Sequence, residues 1–224
     1  MRRSSEGYGP HFTFALTIEP GCAGDMAASQ GPPPSDGWAN PAVIGLMGFG
    51  LTTMVTGWFN TGNLDVGASV VLSLALVFGG AAQLFAGLIA MRKGELFAGS
   101  AFIGYGSFWM AVFALLVVVP SFGVAASPHD LLAFWVLWTL FTVSFTINAP
   151  KHGLGITMVF VLLIVAFVLL DLHEAMVAYS VSADTIKSYS IAMGWEIWLT
   201  GLVAWLVATA TLTNTNYGRK IIPL

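Results

Sequence analysis

Residues 154–170 read LGITMVFVLLIVAFVLL, an unbroken apolar run with no charged residue and no proline. Its length is close to the ~20 residues that an α-helix needs to cross a bilayer. Comparable blocks precede and follow it, separated by short polar breaks, and predict spans over about 41–59, 66–91, 98–119, 131–147, 154–170 and 191–212. In lipid every backbone N–H and C=O must find a partner within the segment, and the alternating apolar and polar residues of a membrane barrel are absent. The predicted fold class is therefore an all-α integral membrane protein with six transmembrane helices.

Composition leads to the same class. Hydrophobic residues make up 57% of the chain and charged residues only 8%, against about 25% charged in an ordinary soluble domain. A net charge of −3, with eight cations scattered singly and in pairs, offers no basic surface for nucleic acid. Cys22 is the only cysteine, which rules out an internal disulfide or a cysteine-based metal cluster.

Six spans place both termini on one side. Arg2, Arg3, Arg92, Lys93, Lys151, Arg219 and Lys220 then share that side, and Lys187 alone lies opposite. Cations are retained in the cytoplasm, so the expected location is the plasma (inner) membrane with both termini cytoplasmic. Asp65, Asp130, Asp171, Glu174 and Asp184 are assigned to the outer loops, together with His129 and His173, while His152 is assigned to an inner loop.

Residues 1–37, rich in Gly and Ser with prolines at 32–34, read as a disordered cytoplasmic tail. Arg2-Arg3 before HFTFALTI faintly resembles a secretory leader, but Glu19 and Pro20 follow at once. Translation from Met26 is a second reading. The expected organisation is a tail over 1–37, a membrane domain over 38–213 and a short cytoplasmic tail over 214–224.

Polar residues within the spans mark candidate chemistry. Span 1 opens with Asn40-Pro41, a helix-start pair, and Gly45, Phe49, Thr52 and Thr56 recur at steps of four, three and four on one face. That face suits a pore wall, and it equally suits close helix packing through small residues. In span 2, Gln83 lies between Gly79 and Gly87 and so faces protein; it serves either an interhelical hydrogen bond or a passing carboxylate. Tyr105 sits in IGYGSFW between two glycines that allow close approach. Glu196, in GWEIW near the outer end of span 6, is a candidate proton site or a snorkelling acid.

No Lys or Arg lies deep in any span, so an anion in the middle would meet no compensating charge. A solute must cross protonated, or be held in stages by neutral donors. A small monocarboxylate fits this restriction; a large polyanion does not. The histidines lack metal-ligand spacing, and no span carries paired carboxylates or a Ser/His arrangement. An enzyme, a metal and a cofactor are not expected.

The stretches NPAVIGLMGFG (40–50), GGAAQLFAGLIAMRKGELFAGSAFIGYGSFW (79–109) and NYGRKIIPL (216–224) resemble the succinate–acetate permease family over residues 40–224. Val43 and Ile44 depart from the Pro-Leu pair usual in its first motif. The resemblance implies six helices around a path in each protomer, a homo-oligomer that is a hexamer, and uptake of acetate, with succinate a second substrate, in symport with protons. It implies a hydrophobic constriction of Phe49, Tyr105 and Leu163, the last placed by a gap-free count; Phe160, Leu163, Phe167 and Leu170 also share one helical face, which equally suits ordinary bundle packing. Asn40, Thr52, Thr56 and Gln83 are the expected carboxylate-handling residues. Glu196 stands where the family is usually apolar. The alternatives are a passive channel for acetate or another small weak acid or base such as ammonia, and a receptor that binds acetate without moving it.

Overall fold

The computed structural model describes residues 37–62 and 65–223. The expectations about residues 1–36, including the disordered tail, the leader and the start at Met26, lie outside the described residues. Six helices are long and apolar enough to cross a membrane: α1 (Ala42–Thr61), α2 (Ala68–Arg92), α3 (Leu96–Ser121), α4 (Pro128–His152), α5 (Leu154–Ala178) and α6 (Ala183–Tyr217). The described residues contain no β-strand.

Local chemistry sets the ends. Asn40 Oδ1 accepts from the Ala42 amide at 2.9 Å at the start of α1. Ser127 and Asp130 exchange hydrogen bonds at the start of α4, with Pro128 in its first turn, so that both residues satisfy otherwise orphaned amides. Gly62 and Gly218 end α1 and α6 in the left-handed region at φ +67° and +61°, a conformation that costs glycine little.

α5 and α6 are longer than the hydropathy predicts. α5 continues through Asp171, His173 and Glu174, and α6 begins before Asp184 and Lys187. These residues, with His173, therefore sit on helices and not in the outer loops expected for them. Tertiary partners explain part of the extension. Thr139 Oγ1 on α4 donates to Asp171 Oδ2 at 2.7 Å, and Tyr189 Oη on α6 donates to Leu169 O on α5 at 2.9 Å. His129 likewise lies in the first turn of α4, and His152 in the short 3₁₀ turn that closes it.

Glycines set how closely helices approach. A methyl added to Gly201 of α6 would sit 2.5 Å from Met54 N and 2.6 Å from Gly50 O of α1. One added to Gly50 would sit 2.8 Å from Gly201 O. Gly57 and Gly194 repeat this contact two turns away, so α1 and α6 touch backbone to backbone, as small residues permit in membranes.

Two helices contain π-helical segments, Val77–Ala82 in α2 and Ala114–Val118 in α3. The second lies just ahead of Pro120, which cannot donate to the carbonyl one turn back. The first leans on α1, where a methyl on Gly48 would meet Phe78 O at 2.5 Å, and Gln83 follows it directly.

Candidate functional site

Cavities lie among the helices, and two of them share part of their lining. One, of about 250 Å³, is lined by Asn60 near the end of α1, by Trp135 of α4, and by His173 and Glu174 in the last turns of α5. The other, of about 210 Å³, is lined by Gln83, Tyr105, Phe97 and His152. Phe49 and Leu163 are the two residues common to both linings. Their side chains are 5% and 4% exposed, so the cavities meet at a pair of tightly buried apolar groups.

Tyr105 stands beside this pair. Its ring centroid is 5.7 Å from that of Phe49, and Phe141, Phe160 and Phe167 lie at 5.3, 6.1 and 6.5 Å. At 3% exposure its hydroxyl needs an internal partner. It donates to Thr142 Oγ1 at 2.9 Å, and Thr142 Oγ1 donates in turn to Trp138 O at 2.8 Å. Burial, aromatic neighbours and this bond together hold the ring beside Phe49.

The carboxylate-handling candidates separate. Gln83 lines the second cavity, and its buried Oε1 has no hydrogen-bond partner. Thr56 lines the first cavity and donates to Thr52 O at 2.8 Å. Thr52 lines neither; it is fully buried against α2, with Oγ1 unpartnered and 2.8 Å from where a methyl on Gly79 would sit. Asn40 also lines neither, and its Oδ1 is engaged in starting α1. Glu196 lines neither cavity either. Thr200 Oγ1 donates to its Oε1 at 3.0 Å, while its buried Oε2 has no partner.

Several residues of the site escape a reading of the sequence. Thr142 belongs to a Thr139, Thr142, Thr146 ladder at helical spacing, a signal visible in the sequence but with no stated partner. His173 and Glu174 extend the face of Leu163, Phe167 and Leu170 at steps of three and four. They are lost to it once the span is ended at 170. His152 stacks on Phe97 at 3.9 Å between centroids, a contact between distant helix ends.

Neither cavity is lined by Lys or Arg. A bare anion at Phe49 and Leu163 would lose its hydration without a compensating charge, whereas a small neutral molecule would lose far less. Two largely apolar cavities that share Phe49 and Leu163, with no Lys or Arg in either lining, therefore favour solutes that are small and able to shed charge.

Comparison with known proteins agrees with this arrangement. A sequence profile of the GPR1/FUN34/yaaH family matches residues 22–222. The chain is 33% identical to the succinate-acetate/proton symporter SatP of Escherichia coli K12, over 83% of this chain and 95% of that protein. It is 29% identical to acetate permease A of Emericella nidulans, over 99% of this chain and 78% of that protein. The solved structure of the bacterial acetate channel SatP superposes with a TM-score of 0.75 at 32% identity, covering 84% of this chain and 99% of that one. Six apolar helices and transport relatives make this a multi-pass membrane protein. Spans, narrowing and similarity converge, and the chain belongs to the GPR1/FUN34/yaaH family.

Proposed function

We propose that this protein moves acetate, and with it succinate or other small carboxylates, across the membrane together with protons. The observation that carries the reading is the meeting of two cavities at Phe49 and Leu163, a narrowing without a cation in a relative of acetate transporters. Phe49, Tyr105 and Leu163 form the gate. Thr56 and Gln83 handle the carboxylate on either side of it, while Asn40 and Thr52 set the position of α1. Glu196, outside both cavities, tunes coupling without meeting the solute.

Orientation and assembly belong to the same proposal. Lys93 Nζ donates to Trp38 O at 3.1 Å, placing the start of α1 beside the α2–α3 turn, at the end rich in Arg and Lys. That end faces the cytoplasm, in the plasma (inner) membrane. Copies assemble as a homo-oligomer, a hexamer, through apolar faces such as Leu137, Leu140 and Ile147 of α4, which are exposed in the single chain. Mass measurement of the purified protein in detergent tests the number; a monomer would remove it.

The decisive experiment is uptake of labelled acetate into proteoliposomes, with and without an inward proton gradient. Accumulation above that in protein-free liposomes, driven by the gradient, is expected. Equilibration without accumulation would establish a passive channel, the reading favoured by the superposition on the acetate channel. No flux above protein-free liposomes would remove both.

A further inference from the structure

The larger cavity ends at the one ion-pair geometry among the described residues, with His173 Nδ1 3.3 Å from Glu174 Oε1. Their side chains are 20% and 14% exposed, so both are largely withdrawn from solvent, and both line the cavity. They are also the only titratable groups in its lining. His173 is ten residues from Leu163 on one helix, or about 15 Å of rise. The same face lines the cavity with Leu163, Phe167 and Leu170.

The surroundings leave the imidazole as the cavity's one source of positive charge. From α1 the lining offers Asn60, whose Nδ2 donates to Thr56 O. From α2 and α3 it offers only apolar and aromatic groups, and from α4 Leu131, Phe134 and Trp135. From α6, Tyr189 faces His173 at 6.4 Å between ring centroids, with its hydroxyl given to Leu169 O. On α5 itself, Asp171 accepts from Thr139 on α4. His129 is turned onto Tyr179 at 5.9 Å.

We propose that His173 is the proton station of the path, and that Glu174 positions it; the inference rests on the acetate-path reading. An imidazole nitrogen can accept a proton and give it up again. The imidazolium attracts a small carboxylate into the cavity. With Nδ1–H donated to Glu174, an Nε2–H bond breaks and an O–H bond forms on the carboxylate, leaving a neutral imidazole and a neutral acid. The acid passes Phe49 and Leu163, and Nε2 regains a proton from water at the mouth. Each carboxylate therefore carries one proton inward, and no buried cation is needed at the narrowing.

The test is protein-dependent acetate uptake into proteoliposomes over a series of external pH values, for wild type, His173→Gln, His173→Arg and Glu174→Gln. His173→Arg keeps a charge that attracts the anion but cannot release a proton at neutral pH. Its half-saturation is expected to stay within about twofold of wild type while turnover falls on the order of a hundredfold, the low end for a positioned acid. His173→Gln should lose both and follow only the acid already protonated in bulk. Glu174→Gln should displace the pH of half-maximal uptake. On the unaltered chain, histidine-labelled NMR should show the His173 ring resonances moving when acetate is added. A transporting wild type with an unchanged pH profile in His173→Gln, or with unmoved His173 resonances, overturns the proton station alone. A wild type without acetate flux removes the path reading and this inference with it.

Discussion

The hydrogen bond from Tyr105 to Thr142 offers a quantitative check on how the ring of the proposed gate is held. Both residues are almost fully buried, at 3% and 0% exposure, and the bond joins α3 to α4 at 2.9 Å. Interhelical hydrogen bonds in membranes average about 0.6 kcal/mol and reach about 1.7. Here neither hydroxyl has solvent to fall back on, so the upper part of that range applies, roughly 1–1.5 kcal/mol. Thr142→Val orphans the Tyr105 hydroxyl and should cost about 1–3 kcal/mol, whereas Tyr105→Phe removes the group that would be orphaned and should cost about 1 or less. In the double variant the orphan is gone, and the losses should fall short of additivity by the coupling energy. Reversible unfolding in mixed detergent, followed by tryptophan fluorescence, measures all four corners. A coupling below about 0.3 kcal/mol, within the scatter of independent sites, would refute the role of this bond and leave the ring held by its aromatic neighbours alone. Uptake by Tyr105→Phe should stay within about twofold of wild type, because the ring remains.

Further outcomes follow from the same geometry. Phe49→Ala or Tyr105→Ala should admit carboxylates larger than acetate while the protein still assembles; unchanged solute selection in both would remove the gate assignment. Gly201→Ala brings a methyl to 2.5 Å from Met54 N, and backbone cannot move aside cheaply. Overpacking of about 1–3 kcal/mol should outweigh the roughly 1 kcal/mol that alanine gains in a helix, so thermal stability falls; a rise would mean that α1 and α6 separate freely. Gln83→Leu removes a buried, unpartnered Oε1, so stability should hold or improve while half-saturation for acetate rises, and equal half-saturation would exclude Gln83 from solute handling. Glu196→Gln can still accept from Thr200, so proton-driven accumulation should change while half-saturation does not; a shifted half-saturation would place Glu196 on the solute path.

Much of the architecture was legible because bilayer thickness and backbone hydrogen bonding act on each segment separately. Six apolar blocks, charged only at Glu196, predict six helices whatever their neighbours. The resemblance singled out Phe49 and Tyr105, through their local motifs, for the proposed gate, and the absence of deep cations was visible by inspection. Helix ends were harder. Asp171 and Glu174 read as loop residues because hydropathy cannot know that Thr139 or His173 will face them.

The side that each polar residue faces is a property of helix rotation. Thr52 and Thr56 share a periodic face in the sequence, yet Thr56 lines a cavity while Thr52 is closed against Gly79. Gln83 directly follows a π-helical segment, and an insertion of that kind turns whatever comes after it by an angle that no 3.6-residue period predicts. Sequence by itself determined that the chain crosses a membrane six times and carries no buried cation, since both depend on composition over a bilayer's thickness. Tertiary structure alone decided that Phe49 and Leu163 line two cavities at once, that Thr142 pairs with Tyr105, and that His173 and Glu174 line the larger of the two, because each depends on how separate helices rotate and meet.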